Sequence, residues 1–378
     1  MTAVVVCGIA GQLPLAGVAL HYLQYCLGLR DLGVDVLYLE DNRAWPYDPF
    51  LDRPDEEATY SRAWLTELFE AFDLPWAYRD PRGVYAGISE SDVHARCASA
   101  DLLLNVSGGH EPDEHHRAAK RLVFVDTDPG FVQVAAARGD ARTRAWLEAH
   151  DLLFTFAESQ GSASSRLPDD GFAWNTTRQP VHLPFWGDTA DSPGETWTTV
   201  MNWRAYAPTE WNGEAWGQKD AEFPLVRELP RKTDASFELA LGGADAPRAA
   251  LEQDGWQIVD PRIPTRTVWT FRDYIAASRG EITVAKQAYV RSRGGWFSER
   301  SANYLAAGRP VVAQDTGWSQ HLPVGEGLLA FDTAEQAEAA IREVESDPTR
   351  HAVAARALAT EHFDARTVLT KLLSDCGL

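Results

Sequence analysis

Short apolar runs alternate with helical segments along most of this chain, and that alternation restricts the fold more than any other feature of the sequence. The run Ala3–Cys7 is apolar throughout, as expected of a strand buried on both faces of a parallel sheet. A loop with three glycines follows, then helical spacing over 18–32, a stop at Gly33 and a second strand over 34–39. Because a strand–helix–strand unit closes into a parallel pair, we predict that the chain begins with a doubly wound α/β domain.

The same alternation predicts two successive α/β series. In the first we expect helices over 55–72, 89–99 and 143–150 and strands over 102–104, 122–125 and 152–156. In the second we expect strands over 197–202, 237–241, 256–259, 282–285, 311–313 and 328–331 and helices over 218–229, 245–253, 271–278, 301–307 and 333–345, with Asp332 and Glu335 as capping box. Residues 161–194 are rich in Ser, Pro, Asp and Gly, and we place a hinge near 184–194. The predicted domains are therefore 1–188 and 189–347, followed by two helices within 348–378.

Composition excludes several classes of protein. The formal net charge of −20 disfavours binding to nucleic acid or to an anionic membrane. The four cysteines are too widely spaced for a zinc site or a compact disulfide framework. The apolar N-terminus lacks the basic region of a signal peptide, and no window is apolar enough to cross a bilayer. We therefore expect an acidic cytoplasmic protein without stable membrane insertion and without a nucleic-acid partner.

The segment 294–331 is the strongest indication of a ligand site. A glycine-containing loop ends near Arg300, and a helix over 301–307 is ended by Gly308. A buried strand over 311–313 and a second glycine-containing loop follow. Open α/β sheets bind ligands at such loops, and backbone N–H groups at the start of a helix suit a phosphate or diphosphate.

This segment is similar to the sugar-nucleotide site of GT-B glycosyltransferases of the retaining, family-4-like type. The residues that match its pattern are Ala306, Gly308, Pro310, Val311 and Val312. Those enzymes usually carry two glutamates eight positions apart, and the aligned positions here are Gly295 and Asn303. Neither is acidic, and Glu299 and Asn303 are the residues that could replace the pair.

The resemblance implies a fold and an arrangement of substrates. Two Rossmann-like domains would face a cleft, and the C-terminal helices over 348–378 would cross back to the first domain. The nucleotide sugar would bind the second domain, and the acceptor would bind the first. The strings RSRGGWFSERSANYLAAGRPVV and WRAY followed by GQKD resemble a bacterial subgroup of such enzymes.

Three cations are candidates for the donor diphosphate. The resemblance implies that Arg204, after a strand, and Lys219, at a helix start, grip the diphosphate. Lys286 follows the strand over 282–285, where a strand end would direct it into the cleft. Each could instead be a solvated surface charge. The full predicted donor-binding set is Arg204, Lys219, Lys286, Ser298, Glu299, Arg300, Asn303, Thr316 and Gly317.

Candidates for catalysis and acceptor binding follow strands of the first domain. We predict His110 and Asp126 as catalytic groups, because both come at strand ends that open on the cleft. Gly11, His21 and Asp128 are the predicted acceptor-binding residues. A core-facing histidine at His21 and a capping role for Asp126 or Asp128 remain open alternatives. Asp126 and Asp128 are not expected to hold a metal, and no metal site is predicted elsewhere.

The resulting hypothesis is metal-independent transfer of a sugar from an NDP-sugar to an acceptor hydroxyl of a small molecule or glycan. The NDP-sugar would be a co-substrate, with no permanently bound cofactor, and a homodimer is possible. A nucleotide-sugar 2-epimerase of the same fold and a non-catalytic, ligand- or partner-binding paralogue are the alternatives. An NAD-dependent dehydrogenase is disfavoured because the first strand–helix turn lacks the Gly-x-Gly-x-x-Gly fingerprint.

Overall fold

The computed structural model describes residues 1–187, 193–205 and 207–378. The strands are β1 (Ala3–Cys7), β2 (Asp35–Glu40), β3 (Tyr47–Asp48), β4 (Arg53–Pro54), β5 (Trp76–Arg79), β6 (Tyr85–Gly87), β7 (Leu102–Val106), β8 (Leu122–Asp126), β9 (Leu152–Thr155), β10 (Trp174–Thr176), β11 (Thr196–Asn202), β12 (Thr209–Trp211), β13 (Glu214–Trp216), β14 (Ser236–Gly242), β15 (Gln257–Val259), β16 (Gly280–Thr283), β17 (Val311–Gln314) and β18 (Leu328–Phe331).

The helices connect these strands and cover the sheets. They are α1 (Ala16–Asp31), α2 (Thr59–Glu70), α3 (Glu90–Ser99), α4 (Phe131–Ala137), α5 (Ala141–Glu148), α6 (Leu183–Trp186), α7 (Leu229–Lys232), α8 (Arg248–Gln253), α9 (Val268–Ala276), α10 (Gln287–Ser292), α11 (Glu299–Ala306), α12 (Ala334–Ser346), α13 (Pro348–His362) and α14 (Ala365–Asp375). Over the described residues, no helix is both long and apolar enough to cross a membrane.

Two doubly wound sheets confirm the predicted α/β architecture. The first has the order β10-β9-β8-β7-β1-β2-β5-β6, and only the edge strand β6 runs antiparallel. The second has the order β15-β14-β11-β16-β17-β18 and is parallel throughout. In each sheet the order reverses beside its first strand, and a crevice for ligands opens there at the carboxyl ends.

The division of the chain between the sheets agrees with two domains. The last strand of the first sheet ends at Thr176, and the second sheet begins at Thr196. The predicted boundary at 188/189, and the part of the predicted hinge over 188–192, lie outside the described residues.

Helix α1 is buried on nearly every side because elements from both domains cover it. Its residues from Ala19 to Leu29 are all buried. Helix α9 of the second domain and the C-terminal helix α14 both pack against it. The approach of α14 is closest at Gly28, where an added Cβ would lie 2.6 Å from Leu369 Cδ1 and 2.7 Å from Ala365 Cβ.

A glycine pair within α1 tests this packing. Gly→Ala inside a helix normally stabilises by about 1 kcal/mol, but overpacking costs about 1–3 kcal/mol. We therefore expect Gly28→Ala to lower the free energy of unfolding by up to about 2 kcal/mol in urea denaturation. The matched variant Gly17→Ala meets only Phe271 Cζ at 3.6 Å and should not destabilise. Equal stability of the two variants would contradict the close approach of α14.

The C-terminal helices return to the first domain only in part. Helix α14 packs on α1, and Ala365 donates its N–H to the Val181 carbonyl of the first domain at 2.9 Å. Helix α13 instead packs on α11 of the second domain, through small buried residues at Ala352, Ala355 and Ala359. Helix α14 therefore reaches the first domain along its length, whereas α13 packs on the second domain and meets the first at its end, where Arg178 Nη1 lies 3.3 Å from His362 Nδ1.

Several local predictions were wrong for identifiable reasons. The helix expected over 218–229 is two 3-10 turns followed by α7, because Pro224 and Pro230 interrupt it. Helix α11 begins at Glu299, two residues earlier than predicted. The capping box of α12 uses Thr333 and Gln336 rather than Asp332 and Glu335. The hairpin β12–β13, which turns at Asn212-Gly213, was missed although that dipeptide is typical of tight hairpins.

Candidate active site

A pocket lies at the carboxyl ends of β16 and β17, against the start of α11. It is therefore next to the strand-order reversal of the second sheet, where ligands of this architecture bind. The residues that line it are Lys219, Thr283, Val284, Ala285, Trp296, Phe297, Ser298, Arg300, Ser301, Ala313, Gln314, Thr316 and Trp318.

The start of α11 presents unpaired polar groups to this pocket. Ser298 is the N-cap residue in extended conformation, and its hydroxyl makes no capping hydrogen bond. The hydroxyl of Ser301 is buried and has no partner among the described residues. The first turn of a helix leaves its N–H groups unsatisfied and carries a partial positive charge. Together these groups form a site suited to an anion.

Lys219 brings an unbalanced positive charge to the same pocket. It begins the 3-10 turn Lys219–Ala221, and its side chain is half-buried. Burial and then the Arg300 guanidinium hold the pKa of Lys219 well below its usual range. Over the described part of the chain, no carboxylate lies within 4.0 Å of its amine. A bound anion would supply the missing counter-charge.

Arg300 stands in the pocket wall, but its nitrogens are committed to the protein. Its Nε pairs with Glu281, and its Nη1 donates to the Val200 carbonyl at 2.8 Å. Its Nη2 donates to Thr283 Oγ1, also at 2.8 Å. Arg300 therefore braces two neighbouring strands, β11 and β16. Its predicted direct contact with the donor stays a prediction.

Lys286 and Asp128 pair with each other across the two domains. The Lys286 amine lies 2.8 Å from Asp128 Oδ1 and 3.1 Å from the Tyr289 hydroxyl. Lys286 belongs to the second domain and Asp128 to the loop after β8 in the first. The structure thus joins a predicted donor-binding residue to a predicted acceptor-binding residue.

Arg204 lies outside the pocket lining. Its side chain is 57% exposed and pairs with Asp220 at 2.7 Å and Asp245 at 2.8 Å. Asp220, in the 3-10 turn Lys219–Ala221, and Asp245, in the loop after β14, satisfy the guanidinium on the surface. The prediction that Arg204 grips the diphosphate is therefore not supported by its placement.

The two positions aligned with the usual glutamates are used for packing between the domains. A Cβ at Gly295, where φ is +80°, would lie 2.9 Å from Ser159 Oγ of the first domain. Asn303 is buried, and its Oδ1 accepts from Gln24 Nε2 of α1 at 3.2 Å. A side chain does not fit at Gly295, and the Asn303 amide oxygen is bonded to α1, so its placement does not support the predicted donor contact.

The loop after β17 is held by its own hydrogen bonds. Thr316 lines the pocket, but its hydroxyl donates to the Trp296 carbonyl. Gly317 has φ +98° and donates its N–H to Asp315 Oδ1 at 2.8 Å. A Cβ there would lie 2.9 Å from the Arg293 carbonyl oxygen. Both residues shape the wall of the pocket. The Thr316 hydroxyl and the Gly317 N–H already donate within the protein, so neither hydrogen is free for the predicted contact with the donor.

His21 is the predicted acceptor-side residue whose polar atom remains available. It is buried, and its Nε2 has no partner among the described residues. Aromatic rings surround it edge-on, and these belong to Tyr22, Tyr25 and Phe156. Burial lowers the pKa of His21, while the charges of Glu299 and Asp128 act in the opposite direction. The half-buried Glu299, the first residue of α11, is therefore close to this histidine.

His110 is buried and hydrogen-bonded within the first domain, and its predicted catalytic role stays a prediction. Its Nε2 accepts the N–H of Asp41 at 2.8 Å. Its carbonyl accepts from Asn105 Nδ2 at 3.0 Å and from Trp146 Nε1 at 3.1 Å. Burial lowers the pKa of His110 to about 3, so the ring stays neutral at neutral pH.

Asp126 is likewise hydrogen-bonded within the fold, and its predicted catalytic role stays a prediction. Its Oδ2 accepts from Gln133 Nε2 at 2.6 Å and from Thr155 Oγ1 at 3.2 Å. Its Oδ1 accepts the N–H of Asp128 at 3.2 Å. These bonds fix the turn before α4, although burial still raises the pKa of Asp126 to about 7. These bonds favour the structural alternative for this residue.

Gly11 is enclosed by the protein. Its N–H donates to Glu40 Oε2 at 2.6 Å, and the N–H of Gln12 binds the other oxygen of that carboxylate. A Cβ at Gly11 would lie 2.6 Å from Leu65 Cδ1. Two hydrogen bonds to Glu40 therefore hold this loop. The Gly11 N–H is not free, so its placement does not support the predicted contact with the acceptor.

Sequence reasoning did not select Trp296 and Ser301 as side chains of the site. Trp296 lines the pocket, stacks 4.1 Å from the Tyr289 ring and donates to the Thr127 carbonyl of the first domain at 2.9 Å. Ser301 was recognised only as the start of a helix. The signal in the sequence that could have selected its side chain is its place in the first turn of a helix that follows a glycine-containing loop.

Comparisons with known proteins bear on the fold. No protein-family model matches the sequence. A search of curated proteins also finds no match. Solved structures do match over essentially the whole chain. An α-glucosyltransferase complexed with UDP and mismatched DNA has a TM-score of 0.61 at 10% identity, covering 100% of both chains.

Two further structures agree with that likeness. HepE from Anabaena, in complex with UDP and glucose, has a TM-score of 0.59 at 13% identity, with 100% of each chain covered. A glycosyltransferase from Rickettsia africae ESF-5 has a TM-score of 0.56 at 11% identity, covering 99% of this chain and 97% of that one. The chain therefore has the GT-B fold of two Rossmann-like domains.

Proposed function

We propose that this protein is a glycosyltransferase that moves a sugar from an NDP-sugar to an acceptor hydroxyl. The observation that carries the proposal is the half-buried, unpaired Lys219 facing the start of α11 in the crevice of the second sheet. The similar folds of HepE and the α-glucosyltransferase, solved with UDP or UDP-glucose, support it.

The diphosphate is the part of the donor that this pocket suits. The Lys219 amine, the Ser301 hydroxyl and the first N–H groups of α11 converge on one space lined also by the fixed Arg300 charge. Preorganised donors of this kind stabilise the charge that develops on a departing diphosphate. We propose that they do so without a metal ion at the diphosphate.

His21, with Glu299 and Asp128 acting on it, would form the side of the site that faces the transferred sugar and the acceptor. The neutral ring of His21 offers an unpartnered Nε2 for a hydroxyl group. Contacts of Trp296 with Thr127 and of Lys286 with Asp128 close the space between the domains. We therefore expect these two contacts to open when donor and acceptor enter.

One observation favours a second candidate, a non-catalytic paralogue that binds a nucleotide sugar. Both positions of the usual acidic pair, Gly295 and Asn303, serve packing between the domains. Such a protein would bind the nucleotide sugar but would neither transfer the sugar to an acceptor nor hydrolyse the donor. A 2-epimerase would instead convert a UDP-sugar in the absence of any acceptor.

A thermal-shift screen against UDP, GDP, TDP and their sugar conjugates tests the proposal. Binding to the native state raises the melting temperature, and the nucleotide with the largest shift identifies the donor base. Failure of every nucleotide to stabilise the folded protein would contradict a donor site. Binding of a UDP-sugar without turnover, over a panel of acceptors, would favour the non-catalytic paralogue.

Donor binding should take up protons. In the free protein, the lowered pKa of Lys219 leaves part of its amine neutral as pH rises. A bound diphosphate favours the ammonium form and raises that pKa, so affinity should fall as pH rises between the free and bound values. Calorimetric titration with UDP in two buffers of different ionisation enthalpy, at a pH where UDP is fully ionised, should show uptake of up to one proton. Proton release, or uptake that persists in Lys219→Met, would contradict this role.

The four cysteines bear on where such a reaction would take place. Cys7, Cys26, Cys97 and Cys376 are all buried free thiols. Free thiols are typical of a reducing compartment. We propose on this ground that the protein acts in the cytoplasm.

A further inference from the structure

A cluster of two aspartates and two histidines lies outside the donor pocket. It consists of Asp41, directly after β2, and Asp113, His115 and His116 in the segment that follows β7. We refer to these four residues as the His–Asp cluster. It shares no residue with the lining of the donor pocket, and none of the proposed steps of sugar transfer uses it.

Asp113 contacts both histidine rings at Nδ1 through its carboxylate, and its own N–H also donates to His116 Nδ1 at 3.3 Å. Its Oδ1 lies 2.7 Å from His115 Nδ1 and 2.9 Å from His116 Nδ1. The Nε2 atoms of both rings are therefore turned away from Asp113. A carboxylate on one ring nitrogen is the usual partner that fixes a histidine whose other nitrogen binds a metal.

The atoms opposite Asp113 are buried and lack hydrogen-bond partners. This holds for His115 Nε2, His116 Nε2 and Asp41 Oδ2. The side chains of Asp41 and His116 are 0% and 1% exposed. His115 Nε2 is 3.1 Å from Asp41 Oδ2, yet the two atoms are not aligned for a hydrogen bond. Three potential ligand atoms thus face one another without satisfying one another.

A single cation would satisfy all three atoms. A buried polar atom without a partner destabilises the fold, so three in one place favour a common partner. One ligand atom from each of Asp41, His115 and His116 lies within 4.8 Å of the others. Atoms bound about 2.0–2.1 Å from a tetrahedral ion lie about 3.3 Å apart, which this spacing reaches with small side-chain adjustments. Two imidazoles and one carboxylate are a donor set that suits zinc.

The arginines near the cluster leave Asp41 Oδ2 accessible to an ion. Arg79 and Arg43 approach Asp41 at Oδ1, at 3.3 and 3.8 Å, and not at Oδ2. Arg43 also pairs with Asp113. The guanidinium of Arg43 opposes a cation in the cluster, so its removal should strengthen metal binding.

We propose that Asp41 Oδ2, His115 Nε2 and His116 Nε2 bind one divalent transition-metal ion, with zinc the preferred ion. Asp113 is the positioning residue that holds the two imidazoles. Three protein ligands leave a fourth position for water. The ion would tie the loop after β2 to the 3-10 turn His116–Ala118, on the acceptor side of the molecule.

Titration of the chelator-treated, desalted protein with Zn²⁺ tests this site by calorimetry. We expect one saturable site per chain. His115→Gln and His116→Gln should each weaken binding at least about 100-fold, and Asp113→Asn about 10-fold to 100-fold. Arg43→Gln should strengthen binding. His362→Gln, in α13 of the second domain, is the matched control and should bind zinc as the wild type does.

Two further measurements keep the result interpretable. Metal-free variants should melt within a few degrees of the metal-free wild type, which shows that they fold. Zinc should raise the melting temperature of the wild type and of His362→Gln, but not of His116→Gln. Absence of a saturable zinc site in the wild type, or equal zinc affinity in the folded His115→Gln and His116→Gln variants, would overturn the proposal.

Discussion

Replacement of Lys219 by methionine will abolish donor turnover while leaving the protein folded. The substitution keeps the length and apolar stem of the side chain but removes the unpaired charge that faces the start of α11. Loss of one preorganised donor to a developing anion typically costs about 100-fold to 1,000-fold in rate. We expect at least that loss in the rate of UDP release from the donor identified in the nucleotide screen, with an unchanged melting temperature.

Two controls distinguish this effect from a general loss of positive charge. Lys371→Met removes a lysine that is 70% exposed and pairs with Asp375 in α14, and it should not alter turnover. Arg204→Gln removes a surface arginine that the resemblance alone assigns to the diphosphate. Surface ion pairs contribute about 0–1 kcal/mol, so this variant should lose less than about 10-fold. Unchanged turnover in Lys219→Met would refute the assignment of the pocket.

Replacement of Arg300 by methionine will instead destabilise the whole fold. Arg300 is the partner of the buried Glu281, whose second carboxylate oxygen already lacks a hydrogen bond. Removal of one member of a buried ion pair leaves an uncompensated charge and costs about 3–5 kcal/mol. Urea denaturation should show a loss of that size in the free energy of unfolding.

The double variant Arg300→Met with Glu281→Gln should recover much of the lost stability, because the buried charge is gone. Arg142→Met serves as the surface control, since its pair with Glu111 is 84% and 69% exposed. It should change the free energy of unfolding by at most about 1 kcal/mol. A loss in Arg300→Met no larger than in Arg142→Met would contradict the bracing role of this arginine.

The fold was predictable from the sequence because its main signals are local. The buried strand Ala3–Cys7 and residues 311–313 of β17 are continuous apolar runs, and the helix Pro348–His362 begins at a proline that suits the first helical position. The helix expected over 218–229 does not form, because Pro224 lies inside that range and Pro230 directly after it. The hairpin turning at Asn212-Gly213 carried a local signal that the domain-scale pattern obscured.

Sequence reasoning could place a candidate site residue only where that residue's position depends on the helix or strand to which it belongs. Lys219 and the start of α11 belong to this group. His110 and Asp126 do not, because their roles were decided by partners that only the fold brings close. These partners are the Asp41 N–H, 69 residues from His110, and Thr155, 29 residues from Asp126.

Contacts between the domains decided the remaining residues of the predicted site. Asn303 meets Gln24 across 279 residues of sequence, and Gly295 packs on Ser159. The pairing of Lys286 with Asp128 spans 158 residues. Spacing along the chain contains no information on how the two sheets face each other, so these assignments could not be derived from it.

The central claim is that the start of α11 and Lys219 bind the diphosphate of a nucleotide sugar. A crystal structure of the protein with bound UDP, or with the nucleotide that the screen selects, tests this most directly. We expect the phosphate oxygens within hydrogen-bond distance of the Lys219 amine, the Ser301 hydroxyl and the first N–H groups of α11. A diphosphate bound elsewhere, such as at the loop after β1, with the α11 pocket empty, would contradict the claim.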